Sequence, residues 1–166
     1  SKSFDLNEET YFKIIKGKTA SLFSSCCMMG AVSAGSSEED IEKMKKFGLL
    51  VGQAFQLRDD LFGYLSFDTG KPSLNDFKQA KITLPLIHSL SNVDKTERKK
   101  IINNLKNFKS IDKIIDFVKI NKGIEYSENI MNDLISQSIE ILSSYPKSEY
   151  KRSLESLLDY IIRRNI

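Results

Sequence analysis

Apolar residues recur every three or four positions along almost the whole chain, and no convincing run of period-two alternation interrupts them. A strand buries one face by alternation and a helix by steps of three and four, so the pattern predicts an all-α fold. Local signals divide it into helices. The Asn7 side chain suits an N-cap, Glu8 and Glu9 suit the positive pole of a first turn, and Leu6 is placed to staple onto Tyr11. A first helix is therefore expected to reach about Met29 and give out at Gly30. Ser36 or Ser37 caps a second, SSEEDIEKMKKFGLLVGQAFQLRDDLF, which ends near Gly63. The stretch from Leu65 to Asn75, with Gly70 and Pro72, reads as a loop. A short helix from Asp76 follows, then one that starts at Pro85, because proline fits only a first turn. Further helices are expected from about Asp94, Ser110, Ile124 and Ser148, with Gly123 and Pro146 punctuating the last three.

Composition removes several classes of function. A chain of 166 residues is long enough for one domain, or a large part of one, with a real core. A formal charge of +3 is too small to argue for a nucleic-acid partner. The lysines between Lys95 and Lys122 alternate with Ile, Leu and Phe as on a solvated helix face. Cys26 and Cys27 are neighbours in a helical pattern, poorly placed to bridge each other, and read as buried thiols of a reducing compartment. His88 is the only histidine, which leaves little material for a histidine zinc site or a Ser-His-Asp triad. Its expected role is that of a packed, hydrogen-bonded side chain. No signal peptide or apolar run of membrane-spanning length is visible, so a cytoplasmic location without stable membrane insertion is expected.

Polar residues stand where the pattern calls for apolar ones. In the first helix a stripe of Tyr11, Ile14, Ile15, Leu22, Phe23 and Cys26 is broken by Lys18 and Thr19. A lysine there is paired, reaches out to solvent, or is functional, because a buried unpaired ammonium is costly. In the second helix Gly48, Gly52, Gln56, the pair Asp59 and Asp60, and Gly63 follow one another at steps of three or four. Small residues at that spacing admit a partner helix or leave room for a ligand. Two carboxylates near the negative pole of a helix mark either a wet acidic end or a place where a cation arrives. Downstream lie GKP (Gly70 to Pro72), Asp76 and KITLP (Lys81 to Pro85). Oxygen ligands without histidine or thiolate suit a hard ion such as Mg²⁺, and lysines suit the phosphates such an ion bridges. Binding of a Mg²⁺-chelated phosphate or diphosphate between helices is the chemistry these residues suggest.

Four segments, KTASLF (Lys18 to Phe23), GQAFQLRDDLFGY (Gly52 to Tyr64), GKPSLND (Gly70 to Asp76) and KITLPLI (Lys81 to Ile87), resemble in order and spacing the trans-isoprenyl diphosphate synthases, especially bacterial polyprenyl types. NKGIEYSE (Asn121 to Glu128) and the amphipathic tail are similar to that family's C-terminal portion. The resemblance implies an all-α, generally homodimeric bundle of the isoprenoid-synthase type, with residues 1–166 as the C-terminal portion of one synthase domain. It implies a prenyltransferase that condenses isopentenyl diphosphate with an allylic diphosphate by Mg²⁺-assisted ionisation. Asp59 would be a metal ligand of the second aspartate-rich motif, and Asp60 a ligand or the group that orients the ligand shell. Lys18 and Lys71 would hold the allylic diphosphate, with Lys81 and Gln56 in support. Thr19 and Gln56 would face the positive charge that develops on the allyl group, and Asp76 would touch a metal-bound water. Gly63 stands where the family usually has a third aspartate, and the first aspartate-rich motif with its arginine pair lies outside this chain. On this reading the 166 residues are not competent alone. A non-catalytic helical subunit partnering an active synthase is the alternative from another class, and a terpene cyclase of similar fold is a third.

Overall fold

The computed structural model describes residues 7–65, 82–106 and 111–163, the side chain of Lys106 excepted. Every regular element among the described residues is helical: α1 (Glu8–Ile15), a π-helical turn (Lys16–Ala20), α2 (Ser21–Ser33), α3 (Glu38–Leu65), α4 (Leu84–Ser91), α5 (Lys95–Lys106), α6 (Ile111–Ile120), α7 (Gly123–Ser143) and α8 (Glu149–Arg163). The all-α expectation holds. The expected loop and short helix between Leu65 and Lys81 fall, apart from Leu65 itself, outside the described residues.

Side-chain caps set four of the starts. The Thr10 amide donates to Asn7 Oδ1 at 2.8 Å, and the Asp40 amide to Ser37 Oγ at 3.2 Å, which settles the choice between Ser36 and Ser37. Asp94 Oδ1 accepts from the amides of Thr96 and Glu97 at 2.7 and 2.8 Å, and Ser148 Oγ from that of Lys151 at 3.1 Å. Each such cap is worth about 1 kcal/mol. Pro85 sits in the first turn of α4 as expected.

Two expectations for the first helix fail. It does not give out at Gly30 but runs on to Ser33 and stops at Gly35, whose φ of +69° takes the chain into the left-handed region. There the Gly35 and Ser36 amides donate to the Val32 and Ala31 carbonyls. The buried stripe is also different. Tyr11 and Ile15 are buried as expected, but Ile14, Leu22 and Cys26 are exposed, and Ala20 and Ala31 are buried instead. The cause is the π turn, in which the Ser21 amide donates to the Lys16 carbonyl five residues back. A step of five carries the buried side from Ile15 to Ala20, after which the helix resumes in a new phase.

The described residues form two compact units, one of residues 7–11, 59–65, 82–106 and 111–129, the other of residues 12–58 and 130–163. In the second, α2 lies antiparallel to the part of α3 within that unit. Ser24 Oγ donates to the Lys45 carbonyl at 2.9 Å, and the rings of Phe23 and Phe55 are 5.6 Å apart. Gly48 and Gly52 make the approach possible. A Cβ at Gly48 would run into the Phe23 carbonyl, and one at Gly52 would come within 2.6 Å of the Ala20 Cα. The small residues of α3 therefore serve a partner helix. Leu57, Met131, Leu142, Leu158 and Ile161 complete this core. On the outer side of α2, Leu22, Cys26 and Met29 share an exposed apolar face.

In the other unit α4 and α5 pack against α6, around Leu84, Leu86, Leu105, Ile114 and Val118. Tyr126 Oη donates to both carboxylate oxygens of Glu8, at 3.0 and 2.9 Å. The His88 ring stacks on Tyr126 with centroids 3.9 Å apart, and its Nε2 lies 3.1 Å from Asn92 Nδ2. His88 is thus the packed, hydrogen-bonded histidine that its surroundings predict. Cys26 and Cys27 are both free thiols, but Cys26 is exposed and Cys27 half-buried, so the expectation of two buried thiols fails with the phase shift of the helix. Burial and the neighbouring Cys26 push the Cys27 thiol above its usual range.

Candidate functional site

Helix α3 carries Gln56, Asp59 and Asp60 at steps of three and four, near its C-terminal end. Gln56 is buried, and the two aspartates are half-buried. A helix C-terminus offers carboxylates no help from its dipole. Gln56 and Asp60 each take a side-chain partner from the first helix.

The first partnership lies in the unit of residues 12–58 and 130–163. Thr19 Oγ1 donates to Gln56 Oε1 at 2.8 Å. This fixes the Gln56 carboxamide, with its oxygen toward the threonine, and directs the oxygen lone pairs of the hydroxyl away from the amide. Thr19 takes its place from the π turn. Lys18, its neighbour in that turn, is exposed, so its ammonium keeps its hydration and the cost of burial does not arise. An exposed lysine beside Thr19 is open to solvent and to an anionic ligand alike.

The second partnership lies in the other unit. Tyr11 Oη donates to Asp60 Oδ2 at 2.7 Å. Tyr11 is only 4% exposed. Burial, first of all, and then the Asp60 charge and hydrogen bond raise its phenol far above the usual range, so it acts purely as a donor. Nearby, Tyr64 and Thr83 share a buried hydrogen bond of 2.9 Å, joining the end of α3 to the residue before α4. Sequence reasoning placed Tyr11 in the apolar stripe and missed its hydroxyl. A buried tyrosine regularly finds a polar partner, and that was the available signal.

Lys71, Asp76 and Lys81 lie outside the described residues. Among the described residues, no three His, Cys, Asp or Glu side chains form a metal-holding group. What α3 offers a cation is an oxygen-only pair, Asp59 and Asp60, with one oxygen of Asp60 engaged by Tyr11. That donor chemistry fits a hard divalent ion as part of its shell, not as the whole.

Every regular element among the described residues is helical, which defines an all-α class of protein. Residues 1–120 match the family model described as polyprenyl synthetase, and the chain belongs to that family. It is 29% identical over 164 residues to heptaprenyl diphosphate synthase component 2 of Bacillus subtilis, an alignment covering 98% of this chain and 47% of that protein. Among solved structures it is similar to geranylgeranyl pyrophosphate synthase from Bacteroides thetaiotaomicron, with a TM-score of 0.83 and 32% identity over 94% of this chain and 53% of the other. It is also similar to the polyprenyl synthase from Caulobacter crescentus CB15 complexed with calcium and isoprenyl diphosphate, with a TM-score of 0.82 and 27% identity over 97% and 51% of the two chains. The chain spans about half the length of the curated relatives it matches. None of the helices among the described residues is long and apolar enough to cross a membrane.

Proposed function

We propose that this chain is the C-terminal portion of a polyprenyl diphosphate synthase, which lengthens an allylic diphosphate with isopentenyl diphosphate. The observation that carries the reading is the Thr19–Gln56 hydrogen bond, which ties the Lys18–Thr19 pair to the helix that bears Asp59 and Asp60.

In this reading Asp59 and Asp60 hold a divalent cation, Mg²⁺, which when bound neutralises the leaving diphosphate. Lys18, Lys71 and Lys81 hold the diphosphate oxygens as point charges. Thr19 and Gln56 present fixed dipoles to the charge that develops on the allyl carbons, where preorganised dipoles count most. The allylic C–O bond breaks, the double bond of isopentenyl diphosphate supplies the electron pair of the new C–C bond, and a proton leaves to the departed diphosphate. The product is one isoprene unit longer. The protein acts as a homodimer in the cytoplasm.

The test is incubation of the full-length protein with isopentenyl and farnesyl diphosphates and Mg²⁺, followed by mass spectrometry. Longer linear polyprenyl diphosphates are expected, and Asp59→Ala should reduce their rate by about 10²–10³ with helical content intact, as for removal of an electrostatic contact to developing charge. Cyclic hydrocarbons as the sole products would overturn the proposal in favour of a cyclase. Gly63, buried in α3 where the resemblance places a third carboxylate, favours a second reading. On that reading the chain belongs to a non-catalytic subunit supporting an active synthase. A parent reading frame with an upstream DDxxD motif followed by two arginines would exclude it.

A further inference from the structure

Tyr11 has no place in the function proposed so far, yet it makes the described contact to one of the two α3 aspartates. Its ring is buried and its hydroxyl donates to the Asp60 carboxylate, at 2.7 Å from Oδ2. Two chemical consequences follow. A charged acceptor makes this hydrogen bond about twice as strong as a neutral one, which holds the Asp60 rotamer. With Oδ2 engaged, Oδ1 is the oxygen that Asp60 turns to other partners. A partner behind a ligating carboxylate fixes its orientation, and loss of such a partner typically costs about 10–100-fold in metal affinity.

We propose that Tyr11 is a positioning residue, which sets the orientation of Asp60 and so the geometry with which the α3 carboxylate pair receives a cation-diphosphate complex. The inference rests on the reading that Asp59 and Asp60 hold that cation. Tyr11 touches neither substrate nor metal. It acts through Asp60, and from a different helix, so the α1 backbone becomes part of the support of the cation site.

The experiment uses the full-length protein and isothermal titration with MgCl₂ and inorganic diphosphate. Tyr11→Phe keeps the ring and removes only the hydroxyl. It is expected to weaken Mg²⁺-diphosphate binding about 10–100-fold and to raise by a similar factor the Mg²⁺ concentration that gives half-maximal rate. The KM for isopentenyl diphosphate stays within twofold. Asp60→Asn keeps an oxygen that accepts from Tyr11, and adding Tyr11→Phe to it should weaken binding by less than threefold further, because the two residues act in series. A full, independent loss in the double variant would overturn the proposal. So would a Tyr11→Phe protein that melts earlier but binds Mg²⁺-diphosphate as the parent does, since that is the behaviour of packing alone. If Asp59→Ala and Asp60→Ala both bind normally, the cation reading itself falls and this inference with it. Normal binding in Tyr11→Phe beside lost binding in Asp60→Ala removes Tyr11 only.

Discussion

At the scale of single residues, hydrogen-bonding capacity separates Thr19 from the apolar residues around it. Thr19→Val keeps shape and removes the donor, which leaves the buried Gln56 oxygen without the partner at 2.8 Å. Loss of such a hydrogen bond costs about 0.5–1.5 kcal/mol. On the proposed function, the same change in the full-length protein is expected to lower kcat by tenfold or more with little effect on KM, because in that proposal the dipole acts on charge that exists only in the transition state. Steady-state kinetics with a denaturation curve checks both, and a variant altered in KM alone would remove Thr19 from that role. The motif was legible here because Lys18, Thr19 and Gln56 stood out against an apolar period. Tyr11 was not, since a tyrosine in a stripe satisfies the pattern with its ring and hides the need of its hydroxyl.

At the scale of elements, the glycines of α3 and the first helix divide sharply. Gly48 faces the Phe23 backbone, whereas nothing lies within 4 Å of a Cβ built at Gly30. Gly48→Ala is expected to cost about 1–3 kcal/mol through forced separation of α2 from α3. Gly30→Ala should be neutral or gain up to roughly 1 kcal/mol from helix propensity. Chemical denaturation of the two variants side by side tests the contrast, and equal effects would refute the packing argument. The same pair shows where sequence reading stops. Starts were readable because an Asn, Ser or Asp cap needs only its own turn, as at Asn7, Ser37, Asp94 and Ser148. The first stop was not, because Gly30 and Gly35 look alike in sequence and only the chain reversal after Val32 decides which one takes a positive φ. The π turn was equally hidden, since a step of five is dictated by what Ala20 meets on α3, and the sequence states no such distance.

At the scale of the molecule, the exposed side of α2 bears on how these 166 residues behave in solution. Leu22 and Met29 are 66% and 62% exposed on one face, with Cys26 between them. Apolar surface of that kind promotes association. The isolated stretch of 166 residues is expected to self-associate, and Leu22→Lys with Met29→Lys to return it to the monomer position in size-exclusion chromatography with light scattering. Neither substitution touches a buried group, so the melting temperature should hold. A parent stretch that is already monomeric at tens of micromolar would contradict this.

Loss of one codon at Gly17 carries a different lesson. Gly17 is exposed, and a side chain there would meet nothing within 4 Å, so its removal opens no hole. The segment could then wind with ordinary i→i−4 bonding throughout, a change that propensity favours. Ile15 and Ala20, both buried across the turn, would then stand four residues apart, a spacing that keeps them on one face of a regular helix, so the parts before and after the deletion would keep their facing. Circular dichroism and the melting temperature of such a deletion variant should both stay close to those of the parent chain, and a variant that no longer folds would contradict this. The irregular turn thus behaves as one inserted residue that the helix carries without losing the face it presents.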